Sequence, residues 1–84
     1  MNLRRVEQAE RILKDEGLRQ VRVRDHEGVA RIEVARQEIE CFFDEDRRRR
    51  ITESLKHLGF KWVTLDLAGY QVGGGNLGAK ENTP

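Results

Sequence analysis

The sequence predicts a small α+β domain of order α-β-β-α-β, with the helices packed on one face of a three-stranded sheet. Three observations lead there. The stretch "QVRVRDHEGVARIEV" alternates apolar and charged residues on both sides of a short polar break, the pattern of two half-buried strands. Two other segments, one opening at Asn2 and one at Asp44, repeat apolar residues at three- and four-residue spacing, the pattern of helices. Finally, "LKDEGLRQVRV" from Leu13 and "LKHLGFKWVTL" from Leu55 align without gaps, so one Gly-terminated corner from helix to strand is used twice.

The first helix runs through "NLRRVEQAERILKDEG". Leu3, Val6, Ala9 or Glu10, and Leu13 form its apolar stripe, and Ile12 widens it. Asn2 serves as N-cap, and Gly17 stands where a left-handed C-cap residue belongs. Strands near Leu18–Arg24 and Val29–Val34 follow, joined by "DHEG", whose Asp25 and Gly28 suit a hairpin turn. A short helix through Phe42 precedes a longer one from about Glu45 to Leu58, capped by Asp44 and ended by Gly59. Ile51, Leu55 and Leu58 supply its apolar stripe, and Glu45 and Asp46 in its first turn suit the helix dipole. A last strand, "FKWVTLDL", completes a single domain over residues 1–70, and the Gly-rich residues 71–84 are expected to be a flexible tail.

Charged residues make up 37% of the 84, and hydrophobic residues also 37%, so the core is thin and the surface heavily charged. A chain of this size offers a binding surface or an oligomer interface rather than a deep, closed active site. Self-association is expected, because a second subunit buries what one small core leaves exposed. A net charge of +1 excludes a globally basic nucleic-acid binder, so any attraction must come from local patches. The single cysteine, Cys41, excludes an internal disulfide and fits a reducing, cytoplasmic compartment. No apolar run approaches the ~18 residues of a membrane span, and "MNLRRVEQAER" lacks the apolar centre of a signal peptide.

Strand alternation assigns Val21, Val23, Ala30, Ile32, Val34, Val63, Leu65 and Leu67 to the face under the helices. The opposite face then carries Gln20, Arg22, Arg24, Val29, Arg31, Glu33, Trp62, Thr64 and Asp66. One account is a solvated face with cross-strand ion pairs, Arg22 or Arg24 with Glu33. Trp62 argues for more, since an exposed tryptophan marks an interface or a stacking site. Arg22 and Arg24, two residues apart, are also spaced to grip one phosphate group.

Other features point away from chemistry. The run "RRRR" (Arg47–Arg50) opens a helix, so its side chains radiate to different sides, and the acids Asp44, Glu45 and Asp46 offset its field. His26 and His57 lie in a turn and near a helix end, and no metal-ligand spacing forms; neither metal nor cofactor is expected. Cys41, among Ile39, Phe42 and Phe43, reads as an inert core cysteine. "GGGN" precedes no helix and lacks the Lys-Ser/Thr of a phosphate loop. No nucleophile–base pair assembles, so no catalytic residue is assigned.

The spaced set "VRVR…G.ARIEV…LGFKWVTLDL.GY" lies within "VEQAERILKDEGLRQVRVRDHEGVARIEV" and "ITESLKHLGFKWVTLDLAGYQVGGGN". From about Val6 to Asn76 it resembles the C-terminal portion of the ATP-dependent sacrificial sulfur transferases, in the PP-loop ATP pyrophosphatase superfamily. These serve synthesis of the nickel-pincer nucleotide cofactor. In that family an N-terminal PP-loop domain binds ATP and adenylates a substrate carboxylate, and a cysteine then gives up its sulfur. No "SGG.DS" loop occurs in these residues, and Cys41 does not stand in the sulfur-donor motif. The resemblance therefore implies a non-catalytic module for phosphate or nucleotide contact and oligomer assembly.

By motif match, Arg22 and Arg24 become the phosphate-binding residues, with Glu10 (in "VEQAERIL") a weaker supporting contact; the outer face adds Arg31 and Glu33 as supporting candidates and Trp62 as an interface or stacking residue. The family has a basic residue after "GY" and Ser-Leu-Asn beyond it; Gln71 and Gly73–Gly75 stand there instead. Expected partners are a second copy, a PP-loop ATPase chain in trans, and a phosphate or nucleotide. Two alternatives use the same face. One is a small RNA-binding module that stacks bases on Trp62 and holds phosphates with Arg22, Arg24 and Arg31; the other is a purely structural oligomerisation domain.

Overall fold

The computed structural model describes residues 2–70, so the expectation of a flexible tail over residues 71–84 lies outside the described residues. In chain order it contains α1 (Leu3–Asp15), β1 (Val21–His26), β2 (Val29–Val34), a 3-10 helix (Arg36–Phe43), α2 (Glu45–His57) and β3 (Trp62–Leu65). The sheet order is β1-β2-β3. β1 and β2 form the expected hairpin, with Arg22 opposite Glu33 and Arg24 opposite Arg31. β3 pairs parallel to β2, with Val29 beside Trp62 and Arg31 beside Thr64, so the 3-10 helix and α2 form the crossover a parallel pair requires.

The core lies between the helices and one face of the sheet. Ala9 and Leu13 of α1, Ile51 and Leu55 of α2, and Phe42 and Phe60 pack there against Val21, Val23, Ala30, Ile32 and Val34. Val63, Leu65 and Cys41 are partly buried against the same cluster, so Cys41 packs as the sequence suggested. Among the described residues, no helix is long and apolar enough to cross a membrane.

The two sequence-similar corners fold alike. After α1, Gly17 N–H donates to Lys14 O at 2.9 Å and Leu18 N–H to Leu13 O at 3.4 Å. After α2, Gly59 N–H donates to Lys56 O at 2.9 Å and Phe60 N–H to Leu55 O at 3.3 Å. Both are Schellman closures: a left-handed residue (Gly17 φ 101°, Gly59 φ 111°) satisfies orphan carbonyls, and a buried apolar pair (Leu13 with Leu18, Leu55 with Phe60) seals the corner.

Three boundaries differ from expectation. β1 starts at Val21 rather than Leu18, because Leu18 closes the corner and Glu38 receives the N–H groups of Arg19 and Gln20. The short helix is 3-10 in type and extends to Phe43, whose ring is left exposed. β3 stops at Leu65, and Leu67, expected in the core, is 80% exposed because the chain leaves the sheet in a turn. In that turn Asp66 Oδ1 accepts from Ala68 N–H at 2.9 Å and Asp66 O accepts from Gly69 N–H at 3.1 Å.

Candidate functional site

The outer face of the sheet gathers the residues that alternation placed there. Along it run three rows: Arg22 with Glu33, then Arg24 with Arg31 and Thr64, then His26 with Val29 and Trp62. Trp62 and Arg22 therefore occupy opposite corners, four residues apart along the strands and two strands across. Strand geometry makes that about 13 Å by about 10 Å.

Glu33 organises the centre of this face. Its carboxylate is 3.4 Å from Arg24 Nε and 3.1 Å from Arg31 Nη2. The two guanidiniums cover it so well that Glu33 is 7% exposed, although the sequence placed it in solvent. A carboxylate so enclosed stays in place because opposite charges replace its lost water. Arg31 in turn lies 3.8 Å from Asp66, and its buried Nε–H has no hydrogen-bond partner among the described residues. Arg24, Arg31, Glu33 and Asp66 thus form a cluster balanced in charge.

Arg22 stands outside that balance. It has no carboxylate partner among the described residues. Its Nη2 instead donates to the Tyr70 hydroxyl at 2.8 Å, and its guanidinium lies 5.2 Å from the centre of the Tyr70 ring. Tyr70 is held there by its own N–H, which donates to Val34 O at 2.6 Å. In the sequence Tyr70 carried no expected contact beyond its place in the "GY" that closes the spaced motif. The available signal was the turn before it, with Asp66 at the first position and Gly69 at the fourth.

The other candidates separate. Glu10 is not on the outer face: it extends from α1 to accept Val23 N–H at 2.9 Å, covering the free edge of β1. Trp62 is 64% exposed at the far corner, with Lys56 Nζ 5.9 Å from its ring centre. The arginine run radiates as expected, and each member has a structural partner. Arg50 and Arg47 pair with Glu16 at the end of α1, Arg49 pairs with Asp46, and Arg48 donates to Phe42 O. The hydrogen bond from Arg50, with both arginines' charges, holds the Glu16 carboxyl below its ordinary range against a smaller opposing effect of burial. Among the described residues, no group of three metal-ligating side chains comes together.

Chemically, this face sets one guanidinium, without a carboxylate partner among the described residues, beside a phenol and next to a second arginine that shares its carboxylate with a third. Guanidinium N–H and phenol O–H groups are donors of the kind that oxyanions accept from.

Two curated relatives match most of the chain. It is 40% identical over 74 residues to a pyridinium-3,5-bisthiocarboxylic acid mononucleotide synthase of Lactiplantibacillus plantarum. It is 41% identical over 71 residues to the uncharacterized protein slr1717 of Synechocystis sp.. The matches cover 86% and 84% of this chain, but only 25% and 26% of the relatives. The chain thus spans about a quarter of the length of each. No family model matches the sequence.

Proposed function

We propose that this chain is the phosphate-contacting and assembly module of a sulfur-transfer system related to nickel-pincer cofactor biosynthesis. The similarity to a pyridinium-3,5-bisthiocarboxylic acid mononucleotide synthase supports that link, and a mononucleotide carries the phosphate that the outer face is suited to hold. The observation that carries the reading is Arg22, charged and without a carboxylate partner among the described residues, two residues from Arg24 on one open face. A phosphate takes Arg22 directly. Arg24 joins it by leaving Glu33, which keeps Arg31 as counter-ion. ATP binding and sulfur donation fall to a PP-loop domain that these 84 residues do not contain.

Assembly is the second half of the proposal. The edge of β3, unpaired among the described residues, and the exposed Trp62 supply a surface for a second copy, remote from Arg22. The same separation distinguishes this reading from an RNA-binding module, which needs a strand of several nucleotides to reach both corners rather than a mononucleotide.

The test is an amide-resolved NMR titration of the 84-residue chain with adenosine monophosphate and with inorganic phosphate. Saturable shifts centred on Arg22, Arg24 and Tyr70 are expected. Arg22→Ala with Arg24→Ala removes them, lowering affinity about a hundredfold while the core amides keep their positions. Equal affinity in the double variant refutes the site. Affinity that grows with oligonucleotide length and collapses with salt establishes the RNA reading instead.

A further inference from the structure

We infer that Tyr70 is a direct ligand of the bound phosphate, supplying a neutral hydroxyl donor beside the Arg22 guanidinium; the inference rests on the phosphate reading above. A phenol has one proton to donate and an oxygen that accepts, whereas a guanidinium only donates. With Arg22 Nη2 donating at 2.8 Å, the Tyr70 oxygen is the acceptor, and its own proton points elsewhere. Among the described residues no acceptor receives that proton. Arg22 is complementary: it has further N–H groups to give and no carboxylate to take them among the described residues. An oxyanion seated against the pair accepts from both at once.

The phenol is also built into place. The Asp66–Gly69 turn sets the approach of the chain, the Tyr70 N–H to Val34 O bond at 2.6 Å fixes its backbone, and stacking on Arg22 fixes the ring. A side chain so restrained loses little freedom when a ligand arrives, which favours affinity. The ligand class is a phosphate monoester. Its terminal oxygens offer several acceptors to one cationic and one neutral donor, while Arg24 reaches the same group from the next row.

The test compares wild-type chain, Tyr70→Phe and the Arg22→Ala with Arg24→Ala variant, titrated with adenosine monophosphate and with inorganic phosphate. Tyr70→Phe keeps the ring on Arg22 and the backbone bond to Val34, so its ligand-free amide spectrum should match wild type beyond the immediate neighbours of Tyr70. Its affinity for both probes should fall about tenfold, the loss of one hydrogen bond to a charged acceptor. Wild-type binding that Tyr70→Phe leaves unchanged overturns the Tyr70 role while the arginine site stands. Tighter binding also overturns it, making the hydroxyl a competitor for Arg22. Absence of wild-type binding removes the phosphate reading and this inference together.

Discussion

Asp25 sits on the buried face of β1, in line with Val21 and Val23, where a carboxylate without partners is not tolerated. Burial by itself raises its pKa. The Arg5 hydrogen bonds, the Gly28 N–H at 3.0 Å and the Arg5 charge outweigh burial and hold the carboxyl below the ordinary aspartate value. Arg5 is fixed in turn by the Phe60 ring, 4.5 Å away. Because the folded pKa is the lower one, this stabilisation is fully present above the ordinary value of about 3.9 and is lost as pH falls below it. Asp25→Asn should cost about 2 kcal/mol at neutral pH, at the low side of a broken buried pair because the Arg5 side chain keeps one-fifth of its surface in water. It should also flatten the loss of stability that wild type shows as pH falls below about 4, read as urea midpoints; parallel curves for variant and wild type refute this account. The sequence placed Asp25 only in the hairpin turn, which it also caps; its place on the buried face was not assigned, because the first strand was expected to end at Arg24. Its partner was not legible, since Arg5 lies twenty positions away on another element and no local pattern names it. Tyr70 was missed for the same reason, with Arg22 forty-eight positions distant.

At the scale of elements, the helix-to-strand corner is what the chain repeats, and its legibility came from local chemistry. Helix stripe, glycine and apolar closure all act within six residues, so the gapless alignment was enough to place both corners. The end of β3 was less legible, because "FKWVTLDL" keeps alternating after Leu65 while the Asp66 turn takes the backbone away. The two corner glycines share a left-handed φ but not their surroundings. A Cβ on Gly17 meets nothing within 4 Å, whereas one on Gly59 lies 3.0 Å from Arg5 Nη1, on the guanidinium whose Nε and Nη2 hold Asp25. Gly17→Ala should therefore cost only the backbone strain, about 1 kcal/mol. Gly59→Ala should cost measurably more, because Arg5 must shift within its bond to Asp25. Urea unfolding of the two variants decides this, and equal losses contradict the coupling between corner and ion pair.

For the whole molecule, the decisive asymmetry is between the two edges of the sheet. On β1, Glu10 takes the outward Val23 N–H and Glu38 takes those of Arg19 and Gln20 just before the strand, so a second strand finds few free donors. β3 ends the sheet on the other side. Its Trp62 and Asp66 N–H groups turn toward β2, so alternation aims those of Val63 and Leu65 outward, with no side-chain acceptor among the described residues. Trp62 stands at the start of this edge, 64% exposed, with Lys56 Nζ its cationic neighbour among the described residues. An open edge beside a large exposed aromatic ring favours strand addition, and a second copy supplies the same edge and the same ring in return. Sedimentation velocity should accordingly show wild-type mass rising above the monomer between about 1 and 100 μM, spanning the Kd of a modest interface. Trp62→Lys removes the ring and places a charge on the edge, so it should remain monomeric with unchanged far-ultraviolet dichroism. Because Trp62 and Arg22 lie at opposite corners, the same variant should bind adenosine monophosphate as wild type does. A wild-type monomer at every concentration refutes assembly through β3, and a loss of nucleotide affinity in Trp62→Lys contradicts the separation of the two surfaces.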